Sequence, residues 1–139
     1  MTWLLDTNVC VHYLRFGDGS SIANRLAEKN PEDVVLCSVV RAELVFGALK
    51  SRDAAENLAK VARFLSRFLS LPFDDSAADA YGRIRSELTK CGTTIGPNDL
   101  MIASIASARN LTLVTHNVGE FSRVSGLKIE DWEAEQVLE

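Results

Sequence analysis

Short, almost continuously apolar segments constrain the fold of this chain more than any other feature. Three of them, residues 3–5, 34–37 and 111–114, are too short for helices, and polar residues bound each one. Strands that are apolar on both sides are buried on both faces, which is typical of a parallel sheet covered by helices. Longer amphipathic stretches lie between them. The sequence therefore predicts an α/β fold with a central, mostly parallel sheet of four to five short strands flanked by helices on both faces.

The remaining predicted elements fill the intervals between those strands. Helices are predicted over residues 9–16, 22–30, 39–50, 53–69, 76–90 and 97–110. Further strands are predicted at 71–73, where Pro72 requires an edge position, and at 127–129. Because neither internal repeats nor a linker interrupts the pattern, residues 1–139 are predicted to form a single domain.

Composition limits the classes of function. The formal net charge of −4 excludes a protein that grips nucleic acid through net charge alone. Because the sequence has no apolar run of about 18 residues and no signal-peptide pattern, we expect a cytoplasmic protein without a membrane segment. The three cysteines lack metal-binding spacing and fit small buried residues of a reducing compartment.

Acidic residues gather where the predicted strands end. In an open parallel sheet, functional groups collect beyond the carboxyl ends of the strands. Asp6 follows the first strand, Glu43 lies in the helix after the second, Asp99 opens a later helix, and Glu120 follows the strand at 111–114. These four acids are predicted to form a pocket. Polar neighbours would orient the carboxylates and water: Thr7, Asn8, Ser38, Thr115 and Asn117.

Converging carboxylates repel one another unless a cation lies between them. Oxygen ligands without thiolates or a histidine pair favour Mg²⁺ or Mn²⁺ over Zn²⁺, and a phosphodiester is the natural substrate for such an ion. Without the four acids of the pocket, 15 acidic residues would balance the 15 Lys and Arg. The acidic excess of the chain therefore equals the predicted site.

Other interpretations stay open at this point. Asp6 could be only a helix cap, Asp99 only a favourable charge in a first helical turn, and Glu43 only a solvated side chain. The pocket could also belong to another Mg²⁺-dependent phosphoester enzyme, or to a non-catalytic module that binds RNA or a partner. Asn8 stands where an aspartyl-phosphatase needs a second Asp, which argues against that enzyme, and the intact acids argue against a decayed site.

Four ordered motifs resemble those of PIN-domain ribonucleases, specifically the VapC toxins of toxin–antitoxin pairs. They are LLDTNVCVHYL at 4–14, CSVVRAELVFGA at 37–48, GPNDLMIASIA at 96–106 and LVTHNVGEFSRVSGLKIEDW at 113–132. The resemblance covers nearly the whole chain and implies a PIN-like fold. It implies that Asp6, Glu43, Asp99 and Glu120 are catalytic residues and that the first three are metal ligands. Glu120 fills or supports a fourth position, where Asn117 is the alternative.

The resemblance also implies an activity and partners. The activity would be Mg²⁺- or Mn²⁺-dependent endonucleolytic cleavage of RNA, and the ending VSGLKIEDW is similar to that of toxins acting on initiator tRNA. The family implies homodimers and a VapB-type antitoxin that offers arginine to the acidic pocket. The candidate RNA-binding residues are Arg15, Arg41, Arg83, Arg85 and Arg123. His12 and His116 are predicted to be a packing residue and a rim contact.

Overall fold

The computed structural model describes residues 1–133 as a five-stranded sheet with seven α-helices and one 3₁₀ turn. The strands are β1 (Trp3–Leu5), β2 (Val34–Cys37), β3 (Leu69–Leu71), β4 (Thr112–Val114) and β5 (Lys128–Glu130). The helices are α1 (Thr7–Phe16), α2 (Ser21–Ala27), α3 (Ser38–Leu49), α4 (Ala54–Leu65), α5 (Asp75–Lys90), α6 (Pro97–Ala108) and α7 (Val118–Phe121). The strand order is β3-β2-β1-β4-β5, and all four pairings are parallel. The predicted α/β fold is confirmed, with a sheet that is entirely parallel.

The strand order places a switch point beside β1. The chain runs from β1 outward through β2 to β3, and then returns to the other side of β1 to form β4 and β5. Right-handed crossovers in opposite directions put the two groups of helices on opposite faces of the sheet. The crevice between the carboxyl ends of β1 and β4 is the place where such folds bind ligands.

Burial agrees with the apolar runs that predicted the strands. Leu4 and Leu5 in β1, Val34 and Leu36 in β2, and Leu113 in β4 are all at most 1% exposed. Because both faces of these strands are covered, neighbouring residues of one strand are buried together. None of the helices among residues 1–133 has the length and apolar character that crossing a bilayer requires.

Two boundary predictions were wrong at the edge of the sheet. The helix predicted over 53–69 ends at Leu65, and the strand predicted at 71–73 lies at Leu69–Leu71, paired with β2. The Ser66 hydroxyl donates to the Arg63 carbonyl at 2.7 Å, a local bond that competes with further helix. Pro72 has no N–H to donate, so the ladder ends before it. The prediction that this strand lies at the edge of the sheet is confirmed.

The cysteine prediction holds for two residues of three. Cys10 and Cys37 are buried in the core, whereas Cys91 is exposed in the turn after α5. Residues 134–139, which belong to the predicted single domain, lie outside the described residues.

Two tryptophans, one in β1 and one after β5, pack together at the end of the described chain. Trp132 is 1% exposed, and its ring lies 6.3 Å from that of Trp3 at the start of β1. Both indole N–H groups donate to Glu130 of β5, at 3.0 and 3.1 Å. The Lys29 ammonium lies 4.4 Å from the centre of the Trp3 ring, a cation–π contact. These contacts fix the segment after β5 against the first strand.

Candidate active site

Asp6 follows β1 and caps α1. One carboxylate oxygen, Oδ1, accepts the Val9 N–H at 2.9 Å, and Oδ2 accepts the hydroxyl of Thr115, which follows β4. The side chain is buried. Burial raises the pKa of Asp6, the two hydrogen bonds oppose that rise, and the charges of Glu133 and Glu43 add to it. Asp6 is therefore an oriented, buried carboxylate at the switch point, and its capping role and its place in the site coexist.

Glu43 reaches the same region from α3. The Thr7 hydroxyl, in the first turn of α1, donates to Glu43 Oε1 at 2.6 Å. Glu43 is half-buried, and its charge acts on both Asp6 and Asp99. The polar residue that follows Asp6 in sequence thus orients a carboxylate that lies 36 positions away along the chain.

Asp99 and Glu120 form the other half of the site. The Gly96 N–H at the start of α6 donates to Glu120 Oε1 at 3.0 Å, and the Asn117 amide donates to Oε2 at 2.6 Å. These bonds, led by that from Gly96, lower the pKa of Glu120. Burial, followed by the charges of Glu120, Asp6 and Glu43, raises the pKa of Asp99 to about 6. The charge of Glu120 contributes more to that rise than the charges of Asp6 and Glu43, so Glu120 is the acid that acts most strongly on Asp99.

The chemistry of this donor set fits a hard divalent cation. Within residues 1–133, no lysine, arginine or histidine forms a salt bridge with Asp6, Glu43, Asp99 or Glu120. Within the same residues, no three of these acids bring ligand atoms within 4.8 Å of one another, so an ion held by them would complete its coordination with water. Mg²⁺ usually keeps several waters and binds through few carboxylates. The acidic residues could therefore form a metal site.

The structure divides the residues predicted to support the acids into two groups. Thr7, Thr115 and Asn117 each donate a hydrogen bond to one of them, and the Asn117 N–H also donates to the Thr115 hydroxyl at 3.0 Å. Asn8 is exposed on α1, and Ser38 Oγ accepts the Phe73 N–H at 3.3 Å. Within residues 1–133, neither the Asn8 side chain nor the Ser38 hydroxyl forms a hydrogen bond with the acids. Ser38 bonds instead to the loop after β3.

Sequence reasoning missed one acid of this region. Glu133 lies close enough to Asp6 to contribute to its raised pKa, ahead of Glu43. The available signal was the parallel strand at 127–129: residues that follow such a strand emerge at the same edge as those that follow β1 and β4.

The predicted RNA-binding arginines are all exposed, and two of them, Arg123 and Arg15, lie beside site residues. Arg123 donates to the Thr94 carbonyl at 2.8 Å, and its charge helps to lower the pKa of Glu120. Arg15 lines a groove between α1, α3 and α4 that Glu43 also borders. Arg85 donates to the Tyr81 hydroxyl at 3.3 Å on α5. Arg41 and Arg83 project from α3 and α5.

Replacing Thr115 with Val tests how far the buried hydroxyl stabilises this arrangement. The variant keeps the shape of the side chain but leaves Asp6 Oδ2 and the Asn117 N–H without that partner. We expect the free energy of unfolding to fall by about 1–3 kcal/mol in a denaturant titration. Thr89→Val is the matched control, because Thr89 is exposed and its hydroxyl donates only to the carbonyl of Arg85 in the same helix. Equal losses in the two variants would contradict the assignment.

Comparison with known proteins agrees with this geometry. The PIN domain family matches residues 3–127. Ribonuclease VapC2 of Rickettsia felis is 41% identical over 134 residues, covering 96% of this chain and 99% of the relative. The tRNA(fMet)-specific endonuclease VapC of Salmonella typhimurium is 40% identical over 132 residues, covering 95% and 98%.

Solved structures show the same similarity in three dimensions. The chain matches the DNA-bound VapBC complex of Salmonella typhimurium with a TM-score of 0.89, 40% identity, and coverage of 95% of this chain and 98% of that one. It matches VapBC2 of Rickettsia felis, bound to a promoter DNA fragment, with a TM-score of 0.86, 40% identity, and coverage of 95% and 99%. The chain therefore belongs to the PIN-domain family and, within it, to the VapC ribonucleases.

Proposed function

We propose that this chain is a Mg²⁺- or Mn²⁺-dependent endoribonuclease and the toxin of a VapBC-type pair, which inhibits translation by cutting a structured RNA such as initiator tRNA. The observation that carries the proposal is that the charges of Glu120, Asp6 and Glu43 all act on Asp99 at the switch point, while within residues 1–133 none of the four acids forms a salt bridge. The names and complexes of the relatives support it.

Asp6, Glu43 and Asp99 would hold the ion. When bound, a divalent cation supplies positive charge for the scissile phosphate and lowers the pKa of coordinated water. The protein contributes orientation: Thr115 and the Val9 N–H fix Asp6, and Thr7 fixes Glu43. These bonds keep the carboxylates in place before substrate arrives, so little reorganisation is left for the reaction.

Glu120 and Asn117 have a different part in the proposal. Each oxygen of Glu120 accepts one hydrogen bond, from the Gly96 N–H or the Asn117 amide, and these bonds hold Glu120 in place to support Asp99. Burial and the charge of Glu120 raise the pKa of Asp99 to about 6, so a proton competes with the ion for this carboxylate below that pH. Exposed Arg123, next to Glu120, is placed to contact RNA phosphate.

The substrate test compares initiator and elongator tRNAs. The purified chain is incubated with each tRNA and Mg²⁺, and the new RNA ends are sequenced. We expect a single cut in initiator tRNA and none in elongator tRNA; the Salmonella relative is named a tRNA(fMet)-specific endonuclease. Cleavage of both tRNAs at many sites would contradict the specificity and leave the nuclease assignment intact.

Removal of divalent ions tests the metal requirement. We expect EDTA to stop cleavage, and Mg²⁺ or Mn²⁺ added in excess to restore it, because the unneutralised acids would otherwise repel the phosphate. RNA binding without cleavage under every metal condition would favour the non-catalytic module. Full cleavage in EDTA would exclude the metal mechanism.

The proposal includes partners and a location. A VapB-type antitoxin would place arginine in the acidic pocket, and the toxin would form homodimers, act in the cytoplasm and use residues 1–139 as one domain. On the helical hairpin of α3 and α4 and the following strand, Phe46, Leu49 and Leu69 are 63%, 56% and 68% exposed, whereas Leu44 and Phe64 are buried and Phe68 half-buried. The exposed residues are available for such contacts. Co-purification of toxin with antitoxin, followed by mass measurement in solution, tests the assembly.

A further inference from the structure

A second cluster of donor atoms lies beside the acidic site, and it differs in chemistry. His116 follows β4, and Asp131 and Glu133 follow β5. Within residues 1–133 these are the three side chains whose potential ligand atoms all come within 4.8 Å of one another. The group combines an imidazole with two carboxylates, whereas the acidic site offers carboxylates only.

The distances in this cluster resemble those around a metal ion. His116 Nδ1 lies 3.1 Å from Asp131 Oδ2 and 3.1 Å from Glu133 Oε2. Zinc–nitrogen and zinc–oxygen bonds of about 2.0–2.2 Å at tetrahedral angles separate neighbouring ligand atoms by roughly 3.3–3.5 Å. A few tenths of an ångström of movement would therefore admit the ion. His116 is 63% exposed, so the ion has an open approach from solvent.

The other histidine of the chain faces the same glutamate. His12 Nε2 lies 3.7 Å from Glu133 Oε1, and its Nδ1 is buried without a hydrogen-bond partner. With its hydrogen on Nε2, the His12 ring has no buried N–H group at Nδ1 that lacks an acceptor. The Nε2–H group then points toward Glu133. A group that orients a ligating carboxylate in this way is a common second partner in metal sites. Both histidines of the sequence thus converge on one side chain.

We propose that His116 Nδ1, Asp131 and Glu133 bind a first-row transition ion, Zn²⁺ in particular, at a site beside the acidic pocket that uses none of its four acids. Imidazole is a ligand of zinc and its neighbours in the first row, whereas Mg²⁺ selects oxygen. The remaining positions of the ion would be filled by water, since His116 lies at the surface. Glu133 also influences Asp6, so the variants that isolate this site are those of His116 and Asp131.

The test titrates Zn²⁺ into tag-free, metal-stripped protein kept in excess Mg²⁺. Calorimetry gives the affinity and stoichiometry, and nitrogen NMR of the imidazoles identifies the ligand, because the chain has only two histidines. We expect one Zn²⁺ per chain and a large shift of His116 Nδ1. His116→Gln and Asp131→Asn should each weaken binding about 100-fold or more, since loss of a supporting partner alone costs 10–100-fold.

Two controls separate this site from the acidic pocket and from general charge. Asp99→Asn should leave the Zn²⁺ affinity within about threefold of the original chain, and so should Glu56→Gln, which removes an exposed carboxylate on α4. The proposal is overturned if Zn²⁺ fails to bind, if His116 Nδ1 does not shift, or if Asp99→Asn loses Zn²⁺ as completely as His116→Gln. Circular dichroism confirms that each variant is folded.

Discussion

Asp99→Asn is expected to reduce RNA cleavage by roughly 10²–10³-fold at saturating Mg²⁺. The change removes one negative ligand of the proposed ion, whose stabilisation of transition-state charge amounts to several kcal/mol, and each 1.36 kcal/mol corresponds to tenfold in rate. Asn keeps the size of the side chain and removes its charge. The measurement is single-turnover cleavage of labelled tRNA by folded variant and original chain.

The same variant should be more stable than the original chain when metal is absent. The pKa of Asp99 is about 6 in the folded protein against an ordinary value of 3.8, so the folded state holds a proton that the unfolded state releases. Stability from this group is fully present below pH 3.8 and is lost as pH rises through about 6. The stability difference between Asp99→Asn and the original chain should therefore be small near pH 4 and grow toward pH 7, as followed by denaturant unfolding in EDTA.

Asp75→Asn is the control for this pair of measurements. Asp75 is an exposed acid in the first turn of α5, far in sequence from the site acids, and its replacement should change neither cleavage nor the pH profile. An Asp99→Asn protein that cuts tRNA at the original rate would exclude Asp99 from the proposed metal site. A flat stability difference between pH 4 and pH 7 would show that its carboxyl group is not destabilised by its surroundings.

Trp132→Ala should lower the free energy of unfolding more than Thr115→Val or Phe16→Ala. The ring is 1% exposed, contacts Trp3 and donates to Glu130, so its removal leaves a cavity and an acceptor without its partner. Burying an aromatic side chain of this size is worth about 3–5 kcal/mol in truncation experiments. We expect the free energy of unfolding to fall by that amount in a denaturant titration of the metal-free chain.

Phe16→Ala is the comparison for the tryptophan variant. Phe16 is 59% exposed at the end of α1, where its ring packs on His12, so its loss should cost less than about 1 kcal/mol. If Trp132→Ala were as mild as Phe16→Ala, the segment after β5 would not be part of the core. A large loss of unfolding free energy would show that the segment carrying Glu133 is firmly packed against the core.

The parts of the fold that were predictable are those that depend on local pattern. Apolar runs located β1, β2 and β4, because a strand that is buried on both faces needs apolar residues at almost every position. The end of α4 and the position of β3 were not predictable in this way, because Phe68 continues the helical spacing while the Ser66 turn and pairing with β2 decide the outcome. An edge strand with two exposed residues out of three leaves a weak pattern.

The site shows the same division between local and distant information. Asp6, Glu43 and Asp99 were predicted to lie at one edge of the sheet because each follows, or lies one helix beyond, the carboxyl end of a strand. The charges of Asp6 and Glu43 both contribute to the raised pKa of Asp99, which agrees with that placement, while their role in a metal site stays a prediction. Which donor serves which acid depends on packing between distant elements, so Thr7 with Glu43 and Gly96 with Glu120 were not anticipated. Ser38 follows a strand as Asp6 does, yet the loop after β3 takes its hydroxyl.

The central position of β1 has a consequence for synthesis of the protein. The third residue from the start pairs with residue 112, and Asp6 receives its buried hydrogen bond from a threonine 109 positions later. A ribosome must therefore release most of the chain before the acids can assemble, and contacts of such long separation form slowly. The nascent chain carries no organised cleavage site during most of its translation. A product that terminates before β4 lacks both Thr115 and the strand that pairs with β1 beside Asp6. Such a truncated chain cannot form the proposed active site.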